Sequence, residues 1–275
     1  MSSIYHPLGF WNGLLRRPAW HLREYWRSAE YRALHRFARR LGGLPRHNAA
    51  TVSFGQYTIE LCDGPSFLSA WDEIFVNRIY EVAVREGEKP VLVDAGANIG
   101  LAALFWKTRM GEFDYLGFEP DPAVAALCRR NLEAWGVRGR LEERALAETE
   151  GEQCFVADGA DGGRLTDGEG DGVTVKTERL SQWLPERVDL LKVDVEGAEG
   201  GVLRDIGPFL DRIRNLFVEW HYRAGEGGLG RAIALLEEAG FDCHVKVAQG
   251  PRQPFMREPV CGRFSQYLNL YAVRR

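Results

Sequence analysis

The chain has no C-x-x-C pair, no long apolar run and no internal repeat. Each absence closes a route. Its five cysteines (62, 128, 154, 243 and 261) are odd in number and scattered through 275 residues. That pattern excludes a disulfide scaffold and a cysteine zinc site, and it fits reduced thiols in a cytoplasmic protein. No stretch reaches the ~18 consecutive apolar residues of a membrane span, and arginines interrupt the first segment too early for a signal peptide. A net charge of −4 gives no whole-chain case for nucleic acid, so an RNA partner is not expected.

What is present is ordinary for a globular chain: 45% hydrophobic and 27% charged residues. The charge is uneven. Residues 1–47 hold nine arginines, two glutamates and no lysine, a balance of +7, so the remainder carries −11. This segment has Leu22, Trp26, Ala29, Ala33 and Phe37 at steps of three and four, and it is rich in Trp and Tyr. It reads as an amphipathic helical arm. Such an arm packs on its own domain or on a second copy of the chain. Its basic and aromatic character also suits the inner face of a membrane or a lipid-linked substrate. Residues 48–275 form the second unit. There, short apolar runs at 91–96, 114–119, 140–146, 190–195 and 215–220 alternate with helical segments, and strands at 241–247 and 266–273 close the chain. Such alternation implies a doubly wound, Rossmann-like α/β sheet. An insertion at 157–172 breaks the rhythm with six glycines and four aspartates. Asp167, Glu169, Asp171, Gly172 and Glu178 partly match a calcium loop, but Glu169 is the wrong residue type and Val173–Thr177 reads as a strand. A plain loop is expected.

Two motifs carry chemistry. VDAGANIG (93–100) has the form D-x-G-x-x-x-G between a strand and a helix. Gly96 and Gly100 let the backbone turn and approach a ligand closely. Ala97 and Asn98 fill the turn, and Asp94 places a carboxylate beside the crevice. A carboxylate there repels a pyrophosphate and suits an amino group or a sulfonium. Glu119, followed by Pro120, stands at the tip of the next strand, where a carboxylate accepts both ribose hydroxyls. Together they describe a cationic adenosine ligand without phosphates. S-adenosylmethionine fits and NAD fits poorly.

VDAGANIG, FEPDP, LLKVDVEGAEGGVL and LFVEWH, in this order, resemble the FkbM family of S-adenosylmethionine-dependent methyltransferases, over about residues 75–273. The resemblance implies a seven-stranded sheet with the last strand antiparallel. It implies methyl transfer to a hydroxyl oxygen of a sugar, glycolipid or related natural product. By motif, Asp94, Gly96, Asn98 and Gly100 line the methionine part of the cofactor, Glu119 takes the ribose, and Ala145 and Leu146 lie near the adenine.

LLKVDVEGAE (190–199) puts Lys192, Asp194 and Glu196 on one strand face. A central parallel strand tolerates charge only where it opens into the crevice. Asp194 is therefore expected at the methyl group or the acceptor, with Lys192 below it as an ion-pair partner. Glu199 reads as a carboxylate at a helix start. The next strand ends Glu219-Trp220-His221. His221 alone among six histidines sits at a sheet carboxyl end, which nominates it as general base or as a positioning group. Asp194 and Glu219 end adjacent strands and form a candidate Mg²⁺ site. Two other functions stay open: an RNA methyltransferase, and a binding protein that holds the cofactor without transfer.

Overall fold

The computed structural model describes residues 25–26, 28–85, 87–157, 163–166, 172–223, 228–250 and 264–275. The arm's Trp11, Trp20 and Leu22, and the calcium-loop positions Asp167, Glu169 and Asp171, lie outside them.

Helix α1 (Ala29–Leu41) starts at Ser28, whose hydroxyl accepts the Tyr31 N–H at 3.0 Å. Its buried residues Ala33, Leu34, Phe37 and Leu41 fall on one stripe. That stripe packs on α2 (Gly64–Trp71), where the Phe37 and Trp71 rings meet edge-on at 5.0 Å. The described part of the arm is therefore built into the domain's core, as the packing alternative required. Strands β1 (Ala50–Phe54) and β2 (Tyr57–Leu61) form a hairpin between α1 and α2. A single π-turn, Asp72–Val76, extends α2.

The doubly wound part follows: β3 (Val91–Ala95), α3 (Leu101–Met110), β4 (Asp114–Phe118), α4 (Pro122–Ala134) and β5 (Gly139–Glu142). A side sheet comes next, with β6 (Ala145–Leu146), β7 (Gly151–Val156), β8 (Arg164–Thr166) and β9 (Val173–Glu178) in the order β6-β9-β7-β8. The chain then returns through β10 (Leu190–Val193), α5 (Glu199–Ile206), β11 (Asn215–Tyr222), α6 (Gly228–Glu238), β12 (Phe241–Gln249) and β13 (Gln266–Arg274).

The seven-stranded sheet runs β12-β13-β11-β10-β3-β4-β5, and β13 is antiparallel to both neighbours. The last strand is antiparallel, as expected. The run 140–146 is two strands, however. The chain leaves the main sheet after Glu142 and starts the side sheet at Ala145. The two strands lie on opposite sides of the charged residues Glu143 and Arg144.

Both sheet faces are covered. Phe37, Trp71, Phe75, Phe105 and Trp106 lie in the core beneath α1–α4, and Val193, Leu203, Leu236 and Phe241 in the core beneath α5 and α6. Burial of this kind supplies most of the folding drive. The strand order reverses between β3 and β10, so a crevice opens at the carboxyl ends of these two strands. Among the described residues no helix is long and apolar enough to cross a membrane.

Candidate active site

The turn after β3 is fixed by close backbone approach. The N–H groups of Gly96 and Ala97 donate to the Phe118 carbonyl of β4, at 3.0 and 2.8 Å. Gly96 has φ +88°, and a Cβ there would lie 1.9 Å from the Asp194 carbonyl oxygen. Only glycine satisfies both demands. Asn98 also holds positive φ, +49°, and its Oδ1 accepts the Ile99 N–H. Asparagine tolerates this conformation better than most other side chains.

Beneath the turn lies a buried charge cluster. Asp94 has no exposed surface. Its Oδ1 stands 3.0 Å from Lys192 Nζ, and its Oδ2 accepts the Tyr115 hydroxyl at 3.0 Å. Lys192 Nζ also donates to the Gly96 carbonyl and stands 3.5 Å from Asp194 Oδ2. Burial raises the Asp94 pKa, and Lys192 opposes that rise. Burial works against the Lys192 charge too, yet Asp94 and then Asp194 hold its pKa well above the ordinary lysine value. Two expectations change here. Lys192 pairs first with Asp94 and only second with Asp194. Asp94 lines neither cavity of the crevice, because its charge is engaged with the lysine under the turn. It shapes the cradle from below.

The crevice has two adjacent compartments. The smaller, about 70 Å³, is lined by Gly96, Asn98, Glu119, Pro120, Ala145, Leu146 and Phe155. Glu119 is 7% exposed and accepts the backbone N–H groups of Asn98 and Asp121, at 2.9 and 3.0 Å. Burial pushes its pKa from 4.5 up to about 7. The larger, about 320 Å³, is lined by Glu73, Tyr80, Gly96, Ala97, Lys192, Asp194, Glu196, Glu219 and Tyr267, among others. Gly96, Asn98, Asp194 and Glu196 border both compartments. An elongated ligand can therefore cross over Gly96 from one to the other. The donor set suits S-adenosylmethionine: a carboxylate for ribose hydroxyls, apolar side chains such as Ala145, Leu146 and Phe155 for a flat base, beside the charged Asp121, Arg144 and Arg164, and a turn without a side chain at its tightest point.

His221 does not stand where a base would. Its Nδ1 is 2.8 Å from Glu199 Oε1 and its Nε2 3.3 Å from Glu196 Oε2. Burial disfavours the charged ring, but the hydrogen bonds to Glu196 and Glu199 prevail and push its pKa up to about 12. At neutral pH it is an imidazolium with no lone pair for a proton. Its nomination as general base gives way to a positioning role. Glu199 sits at the helix start as expected, accepts the Gly197 N–H at 2.8 Å, and grips His221 as well. Glu196 is held at φ +54°, a strained value for a non-glycine residue.

Asp194 and Glu219 do face the larger compartment. The Glu219 pKa is raised well above the ordinary range, by burial and then by the Asp194 carboxylate. Asp194, Glu219 and His221 bring possible ligand atoms within 4.8 Å of one another, as no other group of three among the described residues does. A divalent ion there would have to take His221 Nε2 away from Glu196 and share Asp194 with Lys192.

The sequence profile of the Methyltransferase FkbM domain matches residues 94–243. The chain belongs to the FkbM methyltransferase family. Among relatives, Methyltransferase 1 of Beauveria bassiana is 34% identical over 63% of this chain and 80% of its own length. The 31-O-demethyl-FK506 methyltransferase FkbM of Streptomyces tacrolimicus is 30% identical over 62% of this chain and 79% of its own. The 2-O-methyltransferase NoeI of Sinorhizobium fredii is 30% identical over 50% and 66%. Among solved structures, methyltransferase FkbM from Methylobacillus flagellatus aligns over 86% of this chain and 58% of its own, at 12% identity and a TM-score of 0.45. In this FkbM-family chain, Asp94, Glu119, Lys192, Asp194, Glu219 and His221 all fall inside the matched segment. Glu73, Tyr80 and Tyr267 fall outside it. No sequence signal marked these three, because the π-turn, the turn at 79–80 and the antiparallel strand that deliver them leave no fixed spacing.

Proposed function

We propose that this FkbM-family methyltransferase transfers the methyl group of S-adenosylmethionine to a hydroxyl oxygen of a sugar, glycolipid or related natural product. The observation that carries the reading is the pair of adjacent compartments, with Glu119 in one, Glu219 in the other and Asp194 bordering both. The names of two relatives, the FK506 methyltransferase and NoeI, specify transfer to oxygen and support the same choice.

When bound, S-adenosylmethionine supplies a methyl group activated on a sulfonium. The chain's residues do the rest. Glu119 accepts the ribose hydroxyls. Ala145, Leu146 and Phe155 enclose the base. Lys192 fixes the glycine turn through Asp94 and the Gly96 carbonyl. Asp194 orients the acceptor hydroxyl, and a Glu219 carboxylate oxygen takes its proton. A raised carboxyl pKa brings proton affinity nearer to working pH, which favours general-base action. His221 holds Glu196 and Glu199 in place. Much of the acceleration comes from keeping the acceptor oxygen close and aligned.

The test is transfer from labelled S-adenosylmethionine to a panel of sugars, glycolipids and hydroxylated polyketides. The expected product gains one methoxy group, seen by mass and by NMR. Methyl appearing on nitrogen, carbon or RNA overturns the reading. A second reading rests on the Asp194, Glu219 and His221 cluster, with Mg²⁺ lowering the pKa of the acceptor hydroxyl. Full turnover in excess EDTA ends it.

A further inference from the structure

The π-turn Asp72–Val76 sits on the crevice. It is closed by the Asn77 N–H reaching back five residues to the Asp72 carbonyl, at 2.8 Å. Such turns inside helices are uncommon and concentrate at functional sites. Its apolar side is locked into the core. Phe75 stacks on Trp71 at 3.9 Å and meets Phe105 of α3 edge-on at 5.5 Å. The same turn presents Glu73 to the larger compartment.

That compartment is lopsided in charge. Among the described residues Glu73, Asp194, Glu196 and Glu219 line it, against the ammonium of Lys192. Wall carboxylates in this balance select a cation. The cofactor has one to offer. With its adenosine at Glu119, its amino-acid end would reach past Gly96 into this compartment. There Leu101 and Ala102 present the N-terminal turn of α3, which favours the carboxylate of that end. The ammonium beside that carboxylate is left for the wall opposite.

We infer that Glu73, delivered by the π-turn, binds the α-ammonium group of the cofactor's amino-acid end. The inference rests on the proposed use of S-adenosylmethionine, and its test separates the two. Titration calorimetry would compare S-adenosylhomocysteine with its analogue lacking the α-amino group. The wild-type protein should prefer the amino compound by roughly ten- to a hundred-fold, the range for a hydrogen bond to a charged group. Glu73→Gln should lose most of that preference while binding the deaminated analogue as the wild type does, which also shows that the variant is folded. Glu73→Asp should keep part of it. A preference undiminished in Glu73→Gln overturns this inference and leaves the cofactor reading standing. Binding of neither compound by the wild type overturns both.

Discussion

Glu119→Gln tests the electrostatics of the site directly. The Glu119 carboxyl titrates at about 7 in the fold, against 4.5 for an ordinary glutamate. Between those values the folded chain holds a proton that the unfolded chain has released. Stability therefore falls as pH rises through the window, and the full cost is present above about 7. At ~1.4 kcal/mol per pH unit, the cost at pH 8 is about 3 kcal/mol. Glutamine removes the charge and with it this cost. It keeps one acceptor oxygen for two backbone N–H groups, so one of Asn98 and Asp121 loses its partner. That loss is about 1–2 kcal/mol. Urea unfolding without cofactor should find the variant about 1–2 kcal/mol more stable at pH 8, and about 1–2 kcal/mol less stable near pH 4.5. The same variant should bind S-adenosylhomocysteine far more weakly. An equal stability difference at pH 5 and pH 8 would refute the reasoning, because the charge of Glu119 would then carry no cost.

Other outcomes follow from the same geometry. Lys192→Met leaves Asp94 buried without its cation and should cost about 3–5 kcal/mol in unfolding free energy, together with cofactor binding. The pH profile of kcat should show no rise near 6.5 from His221, since its pKa lies near 12, and the rising limb that remains should vanish in Glu219→Gln. Removal of residues 1–24 should abolish binding to anionic vesicles, if the basic arm meets a membrane, and spare cofactor binding. Removal through residue 45 should instead unfold the protein, since it strips α1 from Trp71 and Phe67.

The main sheet was legible because apolar runs break at glycines and acidic residues wherever a strand meets the crevice. Asp94–Gly100 and Glu119 mark the ends of β3 and β4 and Asp194 that of β10, while Glu219 stands three residues before the end of β11. The side sheet was less so, since RLEERAL reads as one strand although its charged residues Glu143 and Arg144 separate two. The hairpin β1–β2 left no trace, being short and half exposed. Its anchor is the Asn131 side chain, 71 residues away from Glu60 in sequence, which bonds both the Glu60 N–H and carbonyl. The site was legible in its membership and not in its pairings. Lys192 could be placed on the face of Asp194, but its stronger partner comes from β3, on the register Lys192 to Asp94. His221 looked like a base because its position is right, while Glu196 and Glu199, whose hydrogen bonds favour its protonated form, belong to the turn and helix start after a different strand.

Binding of S-adenosylhomocysteine by titration calorimetry tests the central claim most directly. The account predicts one site per chain, with affinity lost in Glu119→Ala and in Gly96→Val, whose side chain would collide with the Asp194 carbonyl. No binding by the wild-type protein, or unchanged binding in both variants, would contradict it.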